Sequence, residues 1–313
     1  MTGIARLKIF LGALASTLAL MTFGVSAGTG ETPSRIDLAI QVLLRVPSGK
    51  AEIEKALATW KIDRPEDLGQ VIKSGGVSRT DAVLTRHYDP ETGKESRDRE
   101  VTIYINTAQS LTNVVLDLAH EMVHATSRPS FDPYDPNLTR AQYIHSAIDG
   151  VGGEVQAVAM ECRVASELSK NYQIPLKRCQ SYLESKSGSG QDVVVKTDLI
   201  RRDFYRVGQW NNELLQVLGS EASLLSDLSP ESPHLYSSTG NAPYPVALLK
   251  EYEALTRIAC ENSRKRIVTQ SSTLASSMTS GNGRAPASQS GSPSSSTDAQ
   301  ADSTSMFLQR RCH

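Results

Sequence analysis

Apolar residues recur at helical spacing through most of this chain and alternate with polar ones in one short stretch. Between Thr32 and Gly75 the pattern predicts three short helices. Leu38, Ile40, Val42, Leu43 and Leu44 line the first, Ile53, Leu57 and Trp60 the second, and Leu68, Val71 and Ile72 the third. Pro33-Ser34, Pro47-Ser48-Gly49 and Arg64-Pro65 supply the breaks. A β-hairpin follows: Ala82–Tyr88, the turn-rich stretch Asp89-Pro90-Glu91-Thr92-Gly93-Lys94, then Glu100–Asn106, where Val101, Ile103 and Ile105 alternate with Thr102 and Tyr104. The Pro-free and Gly-free segment Leu111–Thr126 carries Val114, Val115, Leu118, Met122 and Ala125 on one face and predicts a buried helix. Pro129, Pro133 and Pro136 stiffen the loop leaving it. A second long helix is expected over Ala141–Lys170, interrupted or bent at Gly150-Val151-Gly152-Gly153. Leu199–Leu218 and Val246–Ile267 complete the helical set, with the loop Ser229–Pro245 between them. The expected fold class is α+β, predominantly helical, with a small antiparallel sheet preceding the helix at 111–126.

The two ends read differently from this body. Met1–Ala27 has Arg6 and Lys8, an apolar run from Ile9 to Val25, and small residues at Ser26 and Ala27, the pattern of a cleaved secretory signal. From about Thr269 the composition turns to Ser, Thr, Gly, Ala, Pro and Gln, and Gln270–Ser305 is too poor in apolar groups to offset chain entropy. The expected organisation is therefore a signal at 1–27 and a body at 28–267 with an N-terminal helical subdomain at 32–75. A Ser-rich tail at 268–313 follows, its apolar-basic tip Met306–His313 included. Taking Arg6 and Lys8 from the 33 Lys and Arg leaves 31 against 34 Asp and Glu, a net charge near −3. No basic surplus is left to attract nucleic acid or an anionic membrane. Once the signal is removed, an exported protein, periplasmic or extracellular, is expected. Its four cysteines, Cys162, Cys179, Cys260 and Cys312, allow three disulfide pairings, with Cys162 able to reach either Cys179 or Cys260.

The chemistry is concentrated in Asp117-Leu118-Ala119-His120-Glu121-Met122-Val123-His124-Ala125. On a helix, His120 and His124 stand one turn apart on one face, about 6 Å along the axis. Two imidazoles so placed converge on one metal ion and leave other positions open. Glu121 is rotated about 100° from His120, so it reaches a metal-bound water without being a ligand. Zinc lowers the pKa of such a water toward ~7, and a neighbouring carboxylate takes its proton during attack on a carbonyl.

A zinc site needs a third ligand. The metzincin pattern is excluded, because His124 is followed by Ala125-Thr126-Ser127-Arg128-Pro129-Ser130, with neither Gly nor His. Glu154, just after the glycines, would point at the His pair if the second helix packs closely on the first. Glu161, seven residues later on the same face, His145 and Asp149 are the alternatives. A helix bearing His-Glu-x-x-His, preceded by a strand and followed by a helix supplying a Glu, resembles the zincin metallopeptidases of the gluzincin branch. The likeness covers about Val101–Lys170. It implies a zincin-like fold, zinc held by His120, His124 and Glu154, and Glu121 as general base. Thermolysin-like members carry an Asp four residues after the ligand Glu, where this chain has Val158. Support for a ligating His would have to come from Asp117 or Glu161 instead. His145 is otherwise a candidate transition-state donor, as are Tyr143, Tyr205, His234 and Tyr236 for the oxyanion. In zincins a strand before the metal helix pairs with extended substrate, a role open here to Val101–Asn106 or its partner strand.

The resulting expectation is a zinc peptidase acting on a peptide or protein. Two other readings fit the same residues: an exported zincin-like binding protein without activity, and a structural helical protein in which the motif is accidental.

Overall fold

The computed structural model describes residues 33–88, 95–129, 131–172, 177–185, 193–237, 240–279 and 307–312. The signal-like segment, the hairpin tip at 89–94 and most of the Ser-rich stretch lie outside them. Two helices open the fold, α1 (Arg35–Leu43) and α2 (Pro47–Trp60). Ser34 caps α1 reciprocally: its hydroxyl accepts from the Asp37 N–H, and the Asp37 carboxylate accepts from the Ser34 N–H at 3.0 Å. Pro47 starts α2, where its fixed φ and missing N–H cost nothing.

The third expected helix is only a 3₁₀ segment, Pro65–Gln70. The chain then enters strand β1 (Ile72–Gly75), followed by β2 (Arg79–Tyr88) and β3 (Glu95–Asn106). β3 lies between the other two. β2 pairs with it antiparallel (Thr80 opposite Ile103), and β1 pairs parallel (Ile72 opposite Ile103). The sheet is therefore mixed rather than antiparallel. A four-residue strand is too short to show alternation, and its partner comes about 30 residues later in sequence, so local pattern could not reveal it.

Helix α3 (Leu111–Ser127) is the buried centre. Ser110 caps it, and Val114, Val115, Leu118, Ala119, Met122 and Ala125 are all inaccessible or nearly so. Packed around it are α1, α2, the β2–β3 hairpin and a later helix that begins at Glu154. Burying Leu118 and Met122 completely stabilises the fold by about 2–3 kcal/mol each. The helix expected over 141–170 is interrupted at the expected glycines, giving α4 (Arg140–Ile148) and α5 (Glu154–Tyr172). Gly152 between them has φ +70°, and a Cβ there would sit 2.4 Å from the Arg128 N at the end of α3. Only glycine fits that approach.

The short strands β4 (Leu183–Ser185) and β5 (Val193–Val195) precede α6 (Thr197–Phe204), α7 (Asn211–Leu218) and α8 (Tyr244–Thr279). The single helix expected over 199–218 breaks at 205–210. There the backbone turns to bond another segment, Val207 N–H to Ser229 O and Ser229 N–H to Tyr205 O. No described helix is long and apolar enough to cross a membrane. Disulfides join Cys162 to Cys179 and Cys260 to Cys312, which indicates an oxidising compartment. Residues 307–312, read from sequence as a tail, are docked. Phe307 is buried beside Tyr134, and Arg310 and Arg311 donate to Asn137 Oδ1 and to the Pro136 carbonyl.

Candidate metal centre

His120 and His124 stand one turn apart on α3, and α5 brings Glu154 to them as its first residue. The three side chains form a group that could hold a metal ion. His124 Nε2 is 3.1 Å from His120 Nε2, Glu154 Oε2 is 3.4 Å from His120 Nε2, and Glu154 Oε1 is 3.5 Å from His124 Nε2. These separations match the ~3.3 Å edge of a tetrahedron with bonds of about 2.0–2.1 Å.

One hydrogen bond and one charged contact behind the triangle say which atoms face inward. His124 Nδ1 lies 2.7 Å from the Gly152 carbonyl, which can only accept. That nitrogen therefore carries the proton, and the Nε2 lone pair points at its neighbours. His120 Nδ1 is 3.4 Å from Glu161 Oε2, so its Nε2 is likewise turned inward. Two nitrogen lone pairs and a carboxylate thus converge, and Glu154 Oε2 is buried with no hydrogen-bond partner. Such a set needs a cation or a proton at its centre, so the donor set fits a metal. Burial pushes the His120 imidazolium down in pKa, but Glu154 and Glu161 outweigh it and raise it to about 10. Burial pushes the Glu154 carboxyl up, yet the two imidazoles hold it well below the usual range. Its place at the start of α5 adds the helix dipole in the same direction.

Glu161 is not on the metal-facing side of His120. It continues outward as a chain: Arg178 Nε donates to Glu161 at 2.8 Å, and Arg178 also donates to Asp117 at 2.6 Å. Asp117 accepts from Ser78 Oγ at 2.6 Å and Gln109 Nε2 at 2.8 Å. Glu161 stands where it can orient His120, and Asp117 holds that support in place. The Cys162–Cys179 disulfide joins the residues adjacent to Glu161 and Arg178.

Glu121 lies beside the triangle without joining it. Thr80 Oγ1 on β2 donates to its carboxylate at 2.8 Å, and burial pushes its pKa up. The cluster opens into a cavity of about 300 Å³ that is also lined by Thr80, Ala82, Tyr244 and Leu248. His145 and Asp149 line a different cavity, where Asp149 is engaged by Arg201 and Tyr205. Of the four oxyanion candidates beside His145, none lines the metal cavity. Tyr143 packs on Phe131 and Tyr252, Tyr205 bonds Asp149, His234 meets Arg206, and Tyr236 is exposed.

Tyr244, the first residue of α8, is the tyrosine in that cavity, and sequence reasoning missed it. Burial and then Glu154, Glu121 and Glu161 push its hydroxyl pKa up, so it stays a hydrogen-bond donor. Nothing local sets it apart from the chain's other tyrosines, since it reaches the cavity only through the long loop before α8. Thr80, Gly152 and Arg178 were missed for the same reason: each acts through a contact made across the fold. No family model matches the chain, and neither characterised proteins nor solved structures gave a significant match.

Proposed function

We propose that this chain is an exported zinc-dependent peptidase, its ion held by His120, His124 and Glu154 and its general base Glu121. The observation that carries this is the meeting of three inward-facing donors from two helices, with a buried carboxylate beside them in the same cavity. When bound, zinc would supply Lewis acidity, acidifying a water in its open position and polarising a carbonyl.

The chain's own groups do the rest. Glu121, steadied by Thr80, takes the proton from the attacking water and returns it to the departing amine. Its burial raises its basicity without making it a ligand. Tyr244 donates to the oxygen on which negative charge develops. Gly152 and Glu161 keep the two imidazoles turned inward. An extended peptide would add to β2: β3 has both edges filled by β1 and β2, whereas β2 has no second strand among the described residues. β2 also carries Thr80 and Ala82 into the cavity, which sets a bound peptide beside Glu121.

The test is metal content and hydrolysis of a quenched-fluorescence peptide pool by wild type, His124→Ala and Glu121→Gln. We expect His124→Ala to lose both, and Glu121→Gln to keep zinc while losing hydrolysis. Wild type that binds zinc without hydrolysing anything would favour the binding-protein reading.

A further inference from the structure

Besides the metal group, the cavity is lined by three arginines, Arg79, Arg99 and Arg128. Arg79 is neutralised: its Nε donates to Asp81 at 3.0 Å, and its guanidinium lies over the Tyr104 ring. Arg99 and Arg128 are different. Both are half-buried, and neither has a carboxylate within ion-pairing distance among the described residues. Arg99 spends one N–H on the Arg128 carbonyl, 3.0 Å away. Burial and the like charge of Arg128 both lower the Arg99 pKa, the sign of a cation lacking a counterion. Glu251 also lines the cavity, and its charge acts on the Tyr143 hydroxyl, but it is not ion-paired with either arginine among the described residues.

Two half-buried guanidiniums lining one cleft, neither ion-paired among the described residues, favour the arrival of an anion that can reach both. Arg128 lies four residues beyond His124, about one helical turn, or ~6 Å, along the α3 axis. An anion held there would be one or two residues from a bond positioned at the metal.

We infer that Arg99 and Arg128 form a carboxylate-recognition subsite, so that the peptides this cleft takes carry a negative charge within about two residues of the scissile bond. The inference rests on the peptidase reading for what the subsite serves, though charge-selective binding can be measured without catalysis. The carboxylate has two sources, an acidic side chain or the free C-terminus of the peptide.

The experiment uses full-length, zinc-loaded protein carrying Glu121→Gln, so that bound peptide is not consumed. Binding is read by fluorescence anisotropy with labelled Ala-Ala-Leu-Glu-Ala and Ala-Ala-Leu-Gln-Ala, each with a free and an amidated C-terminus. We expect one of the two charges, the Glu side chain or the free C-terminus, to tighten binding about tenfold or more. Adding Arg128→Gln or Arg99→Gln should abolish that ratio. Preference for Glu over Gln assigns the charge to a side chain, and preference for acid over amide assigns it to the terminus. A merely structural role for either arginine would weaken all four peptides together and leave the ratio intact, which overturns the inference. Equal binding of all four, or binding of none, also overturns it. Hydrolysis by wild type without charge selectivity removes this inference and leaves the peptidase reading. Charge-selective binding with an inert wild type does the reverse.

Discussion

At the two histidines, one proton position decides what the site can do. His124 presents a lone pair inward because Gly152 offers its carbonyl to the other nitrogen at 2.7 Å. Gly152→Ala would force a Cβ to within 2.4 Å of the Arg128 N in a left-handed conformation. We expect a loss of about 2–4 kcal/mol in stability and weakened zinc binding, measured by urea unfolding and metal competition. Glu161→Gln keeps the shape beside His120 but removes the charge, and should lower zinc affinity by roughly 10–100-fold. At saturating zinc its hydrolysis should recover, which separates it from Glu121→Gln. Tyr244→Phe should reduce kcat by about 10²–10³ with little change in KM, as expected for a donor used mainly in the transition state. At this scale the legible part was the residues whose meaning is local. His120, Glu121 and His124 are recognisable because one helical turn fixes their relation, and Glu154 because glycines flank a helix start. Tyr244 and Thr80 were not legible, since their positions depend on loops and a strand that meet α3 only after folding.

At the scale of elements, α3 and α5 must keep their spacing for the donors to meet, and two devices outside the site hold it. One is the Glu161–Arg178–Asp117 chain, the other the Cys162–Cys179 disulfide next to it. Burial pushes the Asp117 carboxyl up in pKa, but Ser78, Arg178 and Gln109 outweigh it and hold it below its ordinary value. A carboxyl whose pKa is lower in the folded than in the unfolded chain contributes stability above the unfolded pKa. That contribution is lost as pH falls through the folded pKa. Wild type should therefore lose more stability than Asp117→Asn as pH falls below about 4, the unfolded carboxyl's value, and on through the lower folded one. At neutral pH Asp117→Asn should cost roughly 1–3 kcal/mol, the lower end favoured because Arg178 is half-exposed. Equal acid sensitivity in urea titrations would contradict that role for Asp117. Sequence periodicity found α1, α2, α3, α5 and the hairpin, whose apolar faces repeat over several turns or pairs. It failed at β1 and at the break after α6, where a contact with a distant segment overrides the local preference.

Across the whole molecule, the disulfides and the docked C-terminal tip tie late segments back onto the body. Arg311 lies over the Tyr252 ring of α8, and Arg264 donates to the Cys312 carbonyl at 2.9 Å. A basic tip with a penultimate cysteine is visible in the sequence, but its seat on the 134–137 loop is made by tertiary contacts alone. The two cysteine pairs fit the oxidising compartment that an export signal would lead to, so reduction should destabilise the folded chain.

The proposed chemistry requires His120, His124 and Glu154 to grip one cation with Glu121 acting beside it. Bound zinc per chain and peptide hydrolysis, measured on the same preparations of wild type and Glu121→Gln, test this most directly. We predict about one zinc in each, with hydrolysis lower by about 10³-fold or more in the variant. Wild type that binds no zinc, or a Glu121→Gln variant as active as wild type, would contradict it.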